Sequence, residues 1–302
     1  MHFTFSLVLM EQYVAGAIAA VLASFCWSIA AVLYRRAVSG LNDPLATSGL
    51  RVPLALAFMA TLSLFLEKGG SLAFLLVSWE ALFWVLLATT IAIIIGDTLY
   101  MVALRNAGVS IGYPVGYVYP VYATLFAVLL LGETLTVGLV AGLALSLTGI
   151  WLSSFKPPSR LGDRRRVFIG VMAAVLAGLS WGLGSVVFKV AVINVDPLIV
   201  NVIKLIYLLL IMSPFIVRLK VKLIKEYLAY ALLGGLFGLG IGDWLLYVSL
   251  AAIGAARAAT LTTSSPLISI LLAFLFLKEE VSWRQAAGAC LIITGVLLAA
   301  SL

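Results

Sequence analysis

Residues 96–149 run from Gly96-Asp97-Thr98-Leu99-Tyr100 through Pro120 to Leu131-Gly132-Glu133, Gly142 and Gly149. Residues 242–295 follow the same plan, from Gly242-Asp243 through Pro266 to Leu277-Lys278-Glu279, Gly288 and Gly295. Each landmark in the first stretch lies 146 residues before its counterpart in the second. One spacing held across so many landmarks marks an internal duplication. The match continues upstream. Ser24-Phe25-Cys26-Trp27 pairs with Gly178-Leu179-Ser180-Trp181 at an offset of 154, and Asp43-Pro44 with Asp196-Pro197 at 153. The register shifts by one residue between the first two landmarks and by seven before the third, as duplication followed by divergence leaves it.

The solvent of this duplicated chain is lipid. Hydrophobic residues make up 64% of it and charged residues 10%, whereas soluble domains carry roughly 25% charged residues. No soluble fold of 302 residues buries that much apolar surface. The net charge of +7 would point to nucleic acid in a soluble protein. Here the basic residues sit in loops between apolar runs, where they set membrane orientation, so no nucleic-acid partner is expected.

A span needs about 20 mostly apolar residues. Ten such runs are expected, at 13–34, 44–66, 79–104, 109–131, 135–155, 167–189, 197–219, 227–252, 255–277 and 281–301. The one convincing linker, 156–166, is basic and divides the chain into a first five-helix repeat, 1–155, and a second, 167–302. An odd number of spans per half makes the halves enter the membrane from opposite sides, an inverted-topology repeat. Fourteen Lys and Arg residues, including those of 156–166, fall on one face and three (Lys68, Lys189, Arg257) on the other. The first face is therefore expected to be cytoplasmic, with both termini outside. The apolar first ten residues lack a basic leader and a clear cleavage site, and they are not read as a removable signal peptide.

Four ionisable residues lie inside the expected spans: Arg51, Asp97, Lys204 and Asp243. Each costs at least about 2.5–3.5 kcal/mol at a bilayer centre and needs a partner or a wet cavity. At 1.5 Å per residue, Arg51 and Asp97 both lie roughly 10 Å from one face, and Lys204 and Asp243 repeat this at the other. The expectation is one cation–carboxylate pair in each half. Two roles stand side by side: the pairs pin helices together, or they line a path for a charged substrate or a proton. Asp97 and Asp243 are the candidate proton carriers, since a desolvated carboxylate readily exchanges its charge for a proton.

Span four contains Gly112-Tyr113-Pro114-Val115-Gly116-Tyr117-Val118-Tyr119-Pro120. Its prolines and glycines disfavour a regular helix, and Tyr113 and Tyr117 share a face. The matching stretch of span nine, Ala258 to Pro266, offers hydroxyls instead, Thr262 and Ser265 among them. Interrupted helices at corresponding places in two halves point to a transport site. The alternative is that the hydroxyls only satisfy backbone freed by Pro266. Trp27 and Trp181 sit mid-span rather than at the interface, as packing or as cavity lining. The Gly142/Gly149 and Gly288/Gly295 pairs, seven residues apart, read as helix-packing faces. Glu133 and Glu279, at span ends, are expected to cap or orient them.

Cys26 and Cys290 have no metal or redox spacing, and His2 is the single histidine. Hydrolase, metalloprotease and nucleotide-binding motifs are absent from the sequence, so no catalytic or metal site and no cofactor is expected. Transport would run on a proton or other ion gradient, or on the solute gradient alone.

These landmarks resemble the drug/metabolite transporter superfamily, EamA-like family. The resemblance rests on the Trp27 and Trp181 spans, Asp43-Pro44 with Arg51, Asp196-Pro197 with Lys204, the two proline spans, and the closing motif that occurs twice. It covers essentially the whole chain. It implies an all-α integral membrane fold of ten helices, two inverted five-helix repeats around a central cavity. It also implies secondary transport of small metabolites, often efflux of amino acids or related amphipathic compounds, by alternating access in the cell membrane. Lys278 stands where the family usually has glycine, and Gly-Asp in spans three and eight is not a general family feature. The expected partners are a small-molecule substrate and the bilayer, and a homodimer is compatible with the sequence. The rival readings are a polytopic lipid scramblase or passive channel, a membrane-embedded enzyme, and a purely structural membrane subunit.

Overall fold

The computed structural model describes residues 2–41, 43–66, 77–107, 112, 115–154, 164–193, 195–217, 225–265, 267–268 and 282–300. Among these residues all regular secondary structure is helical and there is no strand. Lipid imposes that choice, because a helix satisfies its own backbone N–H and C=O groups where water cannot. Among the described residues six helices are long and apolar enough to cross a bilayer: Met10–Val38, Leu45–Phe65, Trp79–Ala103, Arg164–Ala191, Pro197–Ile216 and Lys225–Ile253. Three shorter apolar helices, Tyr119–Leu131, Val137–Leu152 and Ala286–Ala300, accompany them. The expected span 255–277 is described only as far as residue 268. The linker 156–166 lies outside the described residues but for Arg164–Arg166.

In chain order the helices are α1 (His2–Leu41), α2 (Pro44–Leu50), α3 (Val52–Phe65), α4 (Trp79–Thr89) and α5 (Thr98–Ala107), then α6 (Tyr119–Leu131) and α7 (Val137–Ser154). There follow α8 (Arg164–Ala191), α9 (Pro197–Val217), α10 (Lys225–Gly235), α11 (Asp243–Ile253), α12 (Ala255–Leu261) and α13 (Trp283–Ala300). Local chemistry explains several boundaries. Asp43 caps α2, its carboxylate accepting the Ala46 N–H at 3.1 Å, with Pro44 in the first turn. Asp196 accepts the Leu198 N–H at 2.8 Å at the start of α9. The two Asp-Pro landmarks are thus paired N-caps. Pro53, in the first turn of α3, interrupts the helix at Arg51. Gly132 closes α6 in the left-handed conformation (φ 65°), where a β-carbon is disfavoured.

The chain forms two compact units, and each draws on both halves of the sequence. The first comprises Met1–Thr89 and Val187–Gly254. Within it, Tyr34 of α1 packs on Gly234 and Gly238, and Ile216 of α9 fills the space over Gly49 of α2. The second comprises Thr90–Val186 and Ala255–Leu302. Here α7 and α13 run antiparallel with their glycines interlocked. A β-carbon on Gly142 would strike the Gly295 carbonyl, and one on Gly149 the Gly288 carbonyl. Since Gly142 corresponds to Gly288 and Gly149 to Gly295, the contact is reciprocal, like an isologous interface. This is the close backbone approach expected of small residues in lipid.

Apolar side chains also cover the outside. Leu129, Phe168 and Leu297 are 68%, 66% and 67% exposed, which suits hydrocarbon and not water. Trp79, Trp151 and Trp283 are exposed close to helix ends, where headgroups suit the amphipathic indole. A single overpacked residue at the glycine seam should therefore be costly. Gly142→Val is expected to destabilise the protein by about 1–3 kcal/mol or more, whereas Leu129→Val on the lipid face should be near neutral. Thermal unfolding in detergent, followed by tryptophan fluorescence, checks both.

Candidate functional site

The two Gly-Asp landmarks sit on matching local distortions. The backbone from Thr90 to Asp97 is π-helical, and so is that from Leu236 to Gly242. A π turn is wider than an α turn, leaves carbonyls poorly satisfied, and recurs at functional sites. In the second unit, Trp181 Nε1 donates to Asp97 Oδ1 at 3.0 Å. In the first unit, Trp27 Nε1 donates to Asp243 Oδ1 at 2.9 Å. Each tryptophan comes from one half of the chain and its aspartate from the other. The glycine before each aspartate makes room for the indole. A β-carbon at 96 would lie 2.9 Å from Trp181 Cδ1, and one at 242 would lie 2.8 Å from Trp27 Cδ1. The Gly-Asp pair is thus a binding notch for an indole edge: the glycine admits the ring and the carboxylate takes its N–H.

Around Asp243 the charges are paired. Lys204 Nζ lies 2.8 Å from Asp243 Oδ2 and donates to the Leu239 carbonyl at 2.7 Å. Lys204 is fully buried and Asp243 is 6% exposed. The ammonium also stands 5.3 Å from the centroid of the Tyr247 ring, a cation–π distance. One turn earlier on α9, Asn201 donates through Nδ2 to the Gly240 carbonyl at 2.9 Å. Lys204 and Asn201 therefore donate to successive carbonyls of the π segment, and that of Gly240 also accepts the Asp243 N–H.

The corresponding residues of the first half are placed as follows. Arg51, 3% exposed, lies in the first unit. Its guanidinium contacts the Ser48 hydroxyl at 3.4 Å and stacks over the Tyr34 ring at 4.6 Å. Asp97 belongs to the second unit and is half-buried. Of the two expected pairs, Lys204–Asp243 is seen directly as an ion pair within one unit. Arg51 and Asp97 are assigned to different units.

The second unit also gathers the aromatic and hydroxyl residues of the interrupted spans. Tyr117 donates to Ser265 Oγ at 2.9 Å, and Tyr119 is hydrogen-bonded to Thr262. All four are buried. Tyr100 and Tyr119 both contact the Trp181 ring, at centroid separations of 5.0 and 6.3 Å. The interruptions themselves are present: a turn at Tyr117–Val118 before α6, and a 3₁₀ turn at Thr262–Ser264 after α12. Thr262 also donates to the Ala259 carbonyl at 2.7 Å, so it satisfies local backbone as well as meeting Tyr119. Tyr113, expected beside Tyr117, lies outside the described residues.

Several participants were not singled out from sequence. Asn201 stands three residues before Lys204, the spacing that shares a helix face, and that was its available signal. Tyr119 lies two residues beyond Tyr117, a spacing that shares no helix face. Tyr34 and Tyr247 carry no local mark. Glu133 has a defined partner: its two carboxylate oxygens accept the Ala255 and Ala256 N–H groups at 2.7 and 3.0 Å. It caps α12 across 122 residues of sequence, where a carboxylate complements the helix N-terminus. Its counterpart Glu279 lies outside the described residues.

The pattern that defines the EamA-like transporter family matches residues 14–155 and again residues 168–301. An "Uncharacterized transporter" of Archaeoglobus fulgidus is 23% identical over 276 residues, 91% of this chain and 94% of that one. "Uncharacterized transporter YvbV" of Bacillus subtilis is 30% identical over 184 residues, 59% of each chain. "Uncharacterized protein MJ1333.1" of Methanocaldococcus jannaschii is 31% identical over 136 residues, which is 42% of this chain but 93% of that protein. That relative is therefore about as long as one repeat. A protein of known crystal structure shares the fold with a TM-score of 0.77 at 21% identity, over 94% of this chain and 97% of that one.

The indole notch predicts a specific non-additivity. Trp27→Phe removes a hydrogen bond to a buried carboxylate and should cost about 1–3 kcal/mol. Gly242→Ala should displace the same indole and cost a similar amount. Combined, the two should cost no more than the worse of them, because each breaks one contact. Thermal midpoints of the two single variants and the double variant decide it; simple additivity would count against the notch.

Proposed function

Starting from the fact that this chain belongs to the EamA-like transporter family, and so is a multi-pass membrane protein, we propose that it is a secondary active exporter of small amphipathic metabolites, such as amino acids or related compounds. It works by alternating access and draws on a proton or other ion gradient. It uses ten helices in two inverted five-helix repeats, 1–155 and 167–302, joined by the basic segment 156–166. That segment lies on the cytoplasmic side of the cell membrane and both termini lie outside. The twofold match of the family pattern and the reciprocal, antiparallel glycine seam of α7 and α13 support this organisation.

One observation carries the functional reading. Two carboxylates, Asp97 and Asp243, stand inside apolar spans at the ends of paired π-helical turns, each holding the indole N–H of the opposite half. A carboxylate in a span is costly, and pairing it with a displaceable hydrogen bond gives it two states that a proton exchanges. In the proposed cycle each aspartate takes up a proton as its indole contact loosens and gives it back as the contact re-forms. The candidate substrate and ion pathway residues of this reading are Tyr113, Tyr117, Thr262 and Ser265, with Trp27, Trp181, Arg51 and Lys204.

The burial of Lys204 and Asp243 favours a second reading for that pair alone, as a fixed clamp between α9 and α11. Transport separates the readings. Asp97→Asn and Asp243→Asn are each expected to fold, and to abolish transport or uncouple it from the gradient by at least about tenfold, or 1.4 kcal/mol. The substrate is first found by ligand-stabilisation of the purified protein with amino acids, nucleosides and amphipathic drugs, then assayed in proteoliposomes across pH. Unchanged transport by both variants at every pH would remove the proton-carrier role. Unchanged transport by Asp243→Asn alone would leave Lys204–Asp243 as a clamp.

A further inference from the structure

Between α11 and α12 the chain leaves the helix for a single residue, Gly254. Its backbone stands at φ 85° and ψ 169°, a region that in effect only glycine enters without strain. Its N–H closes α11 on the Leu250 carbonyl at 3.3 Å. The chain also changes unit here, since a segment of the first unit ends at Gly254 and the second unit resumes at Ala255. At the two other crossings, Thr89–Thr90 and Val186–Val187, the backbone stays helical. Each side of Gly254 is tied by a charged side chain. Before it, Lys189 in the last turn of α8 donates to the Ala251 carbonyl in the last turn of α11, at 3.1 Å. After it, Glu133 accepts the Ala255 and Ala256 N–H groups that open α12. A cation suits a helix C-terminus and a carboxylate a helix N-terminus. Lys189 and α11 belong to the first unit, Glu133 and α12 to the second, so each helix end is held by its own unit. The duplication repeats the same three residue types. Gly108 lies 146 residues before Gly254, Glu279 lies 146 after Glu133, and Arg35 lies 154 before Lys189.

We propose that Gly254 is a hinge on which α11 and α12 turn as separate bodies, with Lys189 and Glu133 holding the two helix ends intact while it turns. Glycine crosses between backbone conformations that other residues cannot share, and hinges are a few positions at element ends that absorb such changes. The two polar centres described above lie on opposite sides of it. Asp243, which meets Trp27 and Lys204, opens α11. Thr262 and Ser265, which meet Tyr119 and Tyr117, follow α12. A turn at Gly254 changes the angle between these two centres without unwinding either helix. The use of the hinge in transport rests on the alternating-access reading above; its mechanics do not.

A hinge makes its two sides mechanically independent, and amide hydrogen exchange on the full-length protein in detergent, read residue by residue, tests that. Glu133→Ala should speed exchange at Ala255, Ala256 and Arg257 by about tenfold or more, and leave Leu250 to Ile253 within about twofold of wild type. Lys189→Ala should give the reverse pattern. Both sides speeding up together in either variant, as one continuous cap would, overturns the proposal. So does unchanged exchange in both variants. If an alanine variant does not fold, its glutamine counterpart is read instead, and loss of the fold there too overturns the hinge, because the tie then holds more than one helix end. Gly254→Ala supplies the transport arm. It should slow transport in proteoliposomes by about tenfold while ligand stabilisation of the purified protein stays as in wild type; transport at the wild-type rate overturns the proposal. If the wild type transports nothing, the transporter reading fails and the exchange pattern alone still decides the hinge.

Discussion

A carboxylate in a membrane span must be given partners by the protein, because lipid offers none. Asp243 meets this demand twice over, with the Trp27 indole on one oxygen and the Lys204 ammonium on the other. Much of the first unit follows from that requirement. Gly242 is small so that the indole can approach. The backbone before it widens into a π turn, and Lys204 and Asn201 donate to two of its carbonyls. The tyrosine ring of α11 closes the remaining side. Breaking a buried pair of this kind by removing one partner costs about 3–5 kcal/mol, so these residues act as one unit.

The same demand is met differently in the second unit. Asp97 keeps the indole partner and the π turn, but aromatic rings and hydroxyls surround its tryptophan. Duplication preserved the backbone distortion and the Trp–Asp bond while the neighbouring chemistry diverged. The backbone geometry is shared by the two units, while the residues around each tryptophan and aspartate differ. The glycine seam of α7 and α13 supplies the rigid counterpart, since close backbone packing tolerates little displacement.

Some of the site was legible in the sequence because it is periodic or costly. A lysine, an arginine or an aspartate in an apolar run stands out through its transfer energy, and equal depths match Lys204 to Asp243, which form the ion pair. Gly142, Gly149, Gly288 and Gly295 stood out through their spacing, and Asp43 and Asp196 through the capping preference of Asp-Pro. The π segments were not legible. Their sequences, TIAIIIGD and LFGLGIG, carry no residue that demands an i→i+5 turn. The tryptophans were read as packing or cavity lining because an indole's polar edge is a small part of a large apolar ring.

What the sequence determined by itself is the solvent, the duplication and the inventory of groups that lipid makes expensive. All three follow from composition and spacing, which are properties of the linear chain. Only the tertiary structure decided how those groups are shared. The compact units draw on both halves, so each half's tryptophan answers the other half's aspartate, and Glu133 caps a helix that begins 122 residues later. The physical reason is that a hydrogen bond depends on distances of about 3 Å and on direction. Those are set by the way helices pack and by where a π turn places a carbonyl, neither of which is written in any local run of residues.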